Sequence, residues 1–220
     1  MVDFFKTEAT MIFLRLTLIV LALGCFSYAT AQGGDSKVTG GIITLYGKDP
    51  IGQSVCFKDN DFGSVFQQGQ VRNRCSDLNF NSYLSNGFSV GIEGGREGLI
   101  VDLGTADDLK AKYGYLETVG GGQGFASISI ADRTPMILKD YRSGTLQELQ
   151  EARALFSVPT NSASVPVKLN HVYLLRITDR FDKDFELFSK VVVLSFITNE
   201  SVTLRWQLIV PSTKEKIASL

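Results

Sequence analysis

The stretch that decides the fold is residues 187–210, LFSKVVVLSFI-TNE-SVTLRWQLIV. Val202, Leu204, Trp206, Leu208 and Val210 alternate with Ser201, Thr203, Arg205, Gln207 and Ile209, which is the period of two expected of a strand with one buried face. Leu187 to Ile197 does not alternate: Val191, Val192 and Val193 form an apolar run, as a strand covered on both faces requires. Thr198 to Ser201 reads as the tight turn between the two. His171 to Thr178, with Tyr173, Leu175 and Ile177 inward, supplies a third strand. The C-terminal part is therefore read as an antiparallel meander with Leu187–Ile197 in the middle and Trp206 in the core.

Upstream, Phe88, Val90 and Ile92 point one way, and Leu99, Val101 and Leu103 repeat the pattern after a turn rich in glycine, a spacing that reads as a hairpin. Two short helices interrupt the strands. Thr105 caps the first, with Asp107 and Asp108 in its opening turn, Lys110 and Lys112 near its end, Gly114 beyond it, and Leu109 and Tyr113 as its apolar stripe. The second opens on the capping box Thr145-Leu146-Gln147-Glu148 and carries Leu149, Ala152 and Phe156 inward. The expected fold is mainly β, an antiparallel β-sandwich open to Greek-key connection, with two short helices. Residues 32–220 are expected to form a single sandwich-like domain, with a candidate internal boundary near 157–164, where Ser157-Val158-Pro159-Thr160-Asn161 breaks all periodicity.

The first thirty-one residues read as an address. Arg15 precedes an apolar run from Leu16 to Phe26, and Ala29-Thr30-Ala31 supplies a cleavage site that leaves Gln32 first. That run is shorter than the ~20 apolar residues a spanning helix needs, so no membrane span is expected. The destination is secreted or periplasmic, with lipid anchorage at Cys25 as the alternative, since Ala22-Leu23-Gly24-Cys25 partly matches a lipobox. Cleavage after Ala31 also removes Cys25 and leaves Cys56 and Cys75, a pair that an oxidising compartment would join as a disulfide.

Several chemistries fall away on composition. With 22 Lys+Arg against 23 Asp+Glu the net charge is -1, so no nucleic acid partner is expected. One His and three Cys leave no set of His or Cys ligands for a zinc site, and no metal or other cofactor is implied. Gly120-Gly121-Gly122-Gln123-Gly124 lacks the ending and the following helix of a phosphate loop. Asp59-Asn60-Asp61-Phe62-Gly63 and Asp179-Arg180-Phe181-Asp182-Lys183-Asp184 crowd carboxylates without the spacing of an EF-hand, and read as solvated turns. His171, after Asn170, reads as a surface or edge residue, and no G-x-S-x-G elbow accompanies it. Glu93 and Asp102, on neighbouring expected strands, are the one carboxylate pair that a glycan hydrolase would use. Tyr46, Tyr83, Tyr113, Tyr115 and Phe62 form either a sugar-stacking set or ordinary strand packing. Asn199-Glu200-Ser201 is a glycosylation sequon in a eukaryotic host.

Residues 41 to 92, opening Ile43-Thr44-Leu45-Tyr46 and closing Gly87-Phe88-Ser89-Val90, resemble a βγ-crystallin Greek key, with the motif's glycine one position early at Gly52 and Ile51 in place of its aromatic. No function follows from that resemblance. The expectation is a non-catalytic binding or interaction module for an extracellular or cell-envelope ligand, with no catalytic residue. The alternative is a carboxylate-dependent hydrolase acting on glycans.

Overall fold

The computed structural model describes residues 39–50, 52–58, 61–63, 66–67, 70–71, 75–91, 95–114, 127–140, 143–157 and 163–211. In chain order the elements are β1 (Gly40–Tyr46), β2 (Ser54–Cys56), β3 (Asp61–Phe62), β4 (Phe66–Gln67), β5 (Gln70–Val71), β6 (Leu78–Phe80), β7 (Gly87–Val90), β8 (Arg96–Thr105) and helix α1 (Ala106–Tyr113). They continue with β9 (Ile128–Ala131), β10 (Thr134–Asp140), β11 (Thr145–Glu148), a 3₁₀ helix (Gln150–Phe156), β12 (Ala163–Pro166), β13 (His171–Asp179), β14 (Glu186–Ile197) and β15 (Ser201–Ile209).

The chain is mainly β, and its sheets are antiparallel. The largest has the order β1-β15-β14-β13-β8, a second the order β12-β7-β6-β2-β3, a third the order β11-β10-β9, and β4 pairs β5 alone. The meander is as read: β14 lies between β13 and β15, and Glu200 N donates to Ile197 O at 3.0 Å to close the turn. Its outer strands take up earlier parts of the chain, β15 pairing β1 and β13 pairing β8.

The large sheet separates two apolar clusters. On one side Leu45, Tyr173, Leu175, Ile177, Val191, Val193, Val202, Leu204 and Trp206 pack with Val55, Phe57, Leu78, Phe80, Phe88 and Val90. On the other, Val172, Leu174, Phe188, Val192 and Ile209 pack with Leu109 and Tyr113 of α1, Ile128, Ile130 and Ile137 of the small sheet, and Ala152 and Leu155 of the 3₁₀ helix. This explains why the middle of β14 is apolar without alternation: Val191 and Val193 feed one cluster and Val192 the other. The cover on both faces ends at Val193 and does not extend to Ile197 as the sequence suggested, Leu194 and Ile197 being exposed. Trp206 is 1% exposed and its ring lies 5.1 Å from Phe57.

The structure corrects the sequence reading at five points. First, Val210 is 78% exposed, one residue beyond β15, and it is Ile209 that is buried, on the opposite face. Second, the segment Thr145–Glu148 is a strand and not a helix start. Met136 pairs Glu148 and Leu138 pairs Leu146, so the exposed edge of β10 outcompetes a local cap, and the turn of helix begins only at Gln150 with no side-chain cap. Third, the Phe88–Val90 and Leu99–Leu103 segments are not a hairpin, because β7 and β8 lie in different sheets. The chain crosses between sheets where a Cβ on Gly91, at φ 71°, would meet Gly98 N at 2.1 Å, a contact only glycine permits. Fourth, residues 41–92 are not a self-contained Greek key, since β1 pairs β15 and not β2, β6 or β7. Fifth, His171 lies inside the large sheet, on β13 between β14 and β8, and is only partly exposed.

Helix α1 is as expected. Thr105 accepts from Asp108 N, Asp108 reaches back to Thr105 N, and Gly114 closes the helix in the left-handed conformation. Leu109 and Tyr113 are its buried residues. No helix among the described residues is long and apolar enough to cross a membrane. Cys56 and Cys75 sit at disulfide distance, with Cα atoms 5.2 Å apart. Residues 1–38, with Cys25 and the Ala31/Gln32 cleavage site, lie outside the described residues, as do Glu93, Tyr115, the glycine run 120–124 and residues 158–162 of the candidate boundary.

Candidate functional site

At one end of the large sheet, β13 and β15 begin and β1, β8 and β14 finish. The links there carry four asparagines with positive φ: Asn81 and Asn86 between β6 and β7, Asn170 before β13, and Asn199 between β14 and β15. Asparagine tolerates this conformation because its short amide bonds to nearby backbone. Here the amides also bond between links. Asn81 Nδ2 donates to Gly47 O at 3.3 Å, while Asn81 Oδ1 accepts from Asn86 N at 2.8 Å. Asn86 Oδ1 in turn accepts from Asn199 N, and Ser85 Oγ donates to Asn199 Oδ1 at 3.3 Å. Val167 N donates to Asn86 O at 2.9 Å, and Asn170 N to Val193 O at 3.0 Å. Links after β1, β6, β12 and β14 are thereby braced to one another or to the sheet. On this end Tyr83 is 58% exposed and Leu169 51% exposed.

Beside Asn170 is a charged cluster. Asp102 Oδ1 bonds His171 Nδ1 at 2.8 Å and accepts from Gly104 N at 2.9 Å, and Asp102 Oδ2 takes Lys168 Nζ at 3.0 Å. Burial alone would raise the Asp102 pKa. The His171 bond, the Gly104 amide and Lys168 outweigh it and hold the carboxyl below its ordinary value. Tyr173 sits beneath, its hydroxyl donating to Pro166 O and accepting from Lys168 N, both at 2.9 Å. Burial, and then the charge of Asp102, push its phenol up and keep it protonated. A carboxylate with a lowered pKa stabilises the fold fully above the ordinary carboxylate range and loses that contribution as pH falls through its folded value. Acid titration of stability should therefore show a smaller loss for Asp102→Asn than for the wild-type chain, and parallel curves would refute Asp102 as an anchor.

Asp102 is brought to His171 and Lys168, and a carboxylate kept ionised in this way is poorly suited to donate a proton to a leaving group. Of the aromatic set, Tyr46 and Tyr83 are exposed, Tyr113 is buried with its hydroxyl donating to Glu151, and Phe62 is partly buried against the core. The Asp179–Asp184 turn is a closed structure: Asp179 Oδ1 accepts from Phe181 N at 2.7 Å and Asp182 N at 3.1 Å, and its Oδ2 pairs with Arg96 at 3.0 Å. With both oxygens committed, millimolar Ca²⁺ should leave the melting temperature unchanged, and a rise would show the turn to be an ion site. Asn79, Ser54 and Ser76 form a buried hydrogen-bonded knot near the cysteines, Ser54 Oγ lying 2.6 Å from Ser76 Oγ and Asn79 Nδ2 donating at 2.8 Å.

The brace at Asn81, Asn86 and Asn170 was not read from the sequence. Asn86-Gly87 is a turn signal that marks the link, but no local pattern indicates that its side chain reaches Asn199 N, 113 residues away. No protein-family model, curated protein or solved structure matches the chain.

Proposed function

We propose that the chain is exported, is cut after Ala31 to begin at Gln32, and acts outside the cytoplasm as a non-catalytic binding module on an extracellular or cell-envelope ligand. In this reading the two large sheets are the halves of a β-sandwich, the Cys56–Cys75 pair is its staple, and the ligand meets the asparagine-braced end. One observation carries it: links after several separate strands are tied by Asn81, Asn86 and Asn199 side chains, so that end forms a surface ordered before any ligand arrives. Ordering loops in advance lowers the entropy cost of association, which is the physical reason binding surfaces are built this way. The charge cluster at Asp102, Lys168 and His171 adds polar groups at the rim.

Two measurements test the proposal. Mass spectrometry of exported protein should find Gln32 at the N-terminus, and a diacylated Cys25 would replace this address with a lipid anchor. Titration of the labelled protein with soluble cell-envelope polysaccharide fragments should shift amide resonances of Tyr83, Ser85, Asn86, Leu169 and Asn199. Absence of shifts would remove this ligand class, and shifts confined to the opposite end, around Asp179–Asp184, would move the site.

A further inference from the structure

An independent feature is the free edge of the large sheet at β1. Leu208 N donates to Thr39 O and Gly47 N to Glu200 O, so odd-numbered residues of β1 turn their backbone groups toward β15. Tyr46 N donates the other way, to Gly52 O at 2.8 Å. Gly40, Ile42 and Thr44 therefore aim their N–H and C=O groups outward, where no strand pairs β1 among the described residues.

Sheet edges in stable proteins are normally blunted by shortness, charge, proline, bulges or a cover. The other edges here follow that rule. Strand β3 has two residues, β12 ends at Pro166, β9 and β11 have four residues each, and β8 carries Arg96, Glu97 and Asp102 and lies against the 3₁₀ helix and β12. Strand β1 has seven residues, GGIITLY, with no charge, no proline and an unbroken register against β15. Within it Ile42 is 65% exposed.

We propose that β1 pairs with β1 of a second copy of this chain, antiparallel about a two-fold axis at Ile42, to make one continuous sheet across a dimer. The outward residues are self-complementary in this register: Ile42 faces Ile42, and Gly40 faces Thr44 twice. Each such facing pair exchanges two backbone bonds. The face decides the occupant. Ile42, Thr44 and Tyr46 share the side opposite buried Leu45, and a cavity of about 370 Å³ lies at the Gly40 end of the strand, lined by Thr39 to Ile42 and by Arg205 to Gln207. Tyr46, 47% exposed, lies two positions past Thr44. In the two-fold register Tyr46 of the second copy lies two positions past the Thr44 that faces Gly40, diagonal to Gly40 and within an aromatic ring's reach of that cavity, so the chain carries both the protruding ring and the hollow that receives it. The uncharged strand presents no like charges to its own copy. A single strand edge makes a small interface, so the dimer is reversible and concentration-dependent. The two-fold closes the assembly at two copies.

Sedimentation equilibrium on the exported protein over a concentration series tests this. The wild type should pass from monomer to dimer mass and stop there. Ile42→Lys, at an exposed position, should remain monomeric at every concentration, and Tyr46→Ser should weaken the dimer about tenfold with the fold intact by circular dichroism. Thr44→Pro removes an outward amide and no backbone bond to β15, and should behave as Ile42→Lys does. A wild type that stays monomeric, which would leave the edge to a different protein's strand, overturns the proposal. So does a dimer unaffected by Ile42→Lys, or growth beyond dimer.

Discussion

Trp206→Ala should lower unfolding free energy by roughly 3–5 kcal/mol, as truncation of a large core aromatic does. The ring is the largest of the fully buried side chains and meets Phe57 at 5.1 Å with the planes tilted 43°. It stands where β15 contributes to the same cluster as Val191 and Val193 of the middle strand. The indole Nε1 is buried with no hydrogen-bond partner among the described residues, so the side chain acts through packing area alone. Trp206→Phe should accordingly cost far less than Trp206→Ala, because no hydrogen bond is forfeited. Denaturant unfolding of both variants checks this, together with a blue-shifted native emission that moves red on unfolding. An alanine variant within 1 kcal/mol of wild type would place the ring outside the core.

Separating Cys56 from Cys75 is the second large effect. Closing a loop with a sequence separation of 19 stabilises by about 3 kcal/mol on the chain-entropy account. The two cysteines flank polar contacts that depend on their register: Phe57 N donates to Asp77 Oδ2 at 2.8 Å, and Asp77 N to Val55 O at 2.9 Å. Reductant or a Cys56→Ser/Cys75→Ser pair should lower the unfolding free energy by that amount, read as a lower urea midpoint with a slope no smaller than that of the disulfide form, because the released unfolded chain exposes more surface. Two thiols labelled in the denatured, unreduced protein would contradict the staple outright.

What the sequence disclosed and what it withheld divide by range of interaction. The Val202–Leu208 alternation, the Val191–Val193 run and the Thr105/Asp108 cap are set by near neighbours along the chain, and the structure reproduces them. Thr145–Glu148 misled because a local capping pattern lost to pairing with β10. The β7–β8 segments misled because alternation says which residues share a face but not which sheet receives them. The candidate site was the least legible part. Asp102 and His171 were each visible singly, yet their bond spans 69 positions and depends on β8 lying beside β13. The four left-handed asparagines look, one by one, like ordinary turn residues.

A preformed binding end must be ordered in the free protein, and native-state hydrogen exchange measures this directly. From the sequence alone, Asn199 and Glu200 should exchange quickly as tips of a tight turn. The structure instead gives the Asn199 amide a bond to Asn86 Oδ1, the Asn86 amide one to Asn81 Oδ1, and the Glu200 amide one to Ile197 O. The amides of Asn86, Val167, Asn170 and Asn199 should therefore be protected well above the level of free turns, below Val191–Val193 in the doubly covered strand, and Asn86→Ala should release Asn199 first. Exchange of Asn86 and Asn199 at unprotected rates in the wild-type protein, with Val191–Val193 still slow, would show separate mobile loops and contradict a preformed binding end.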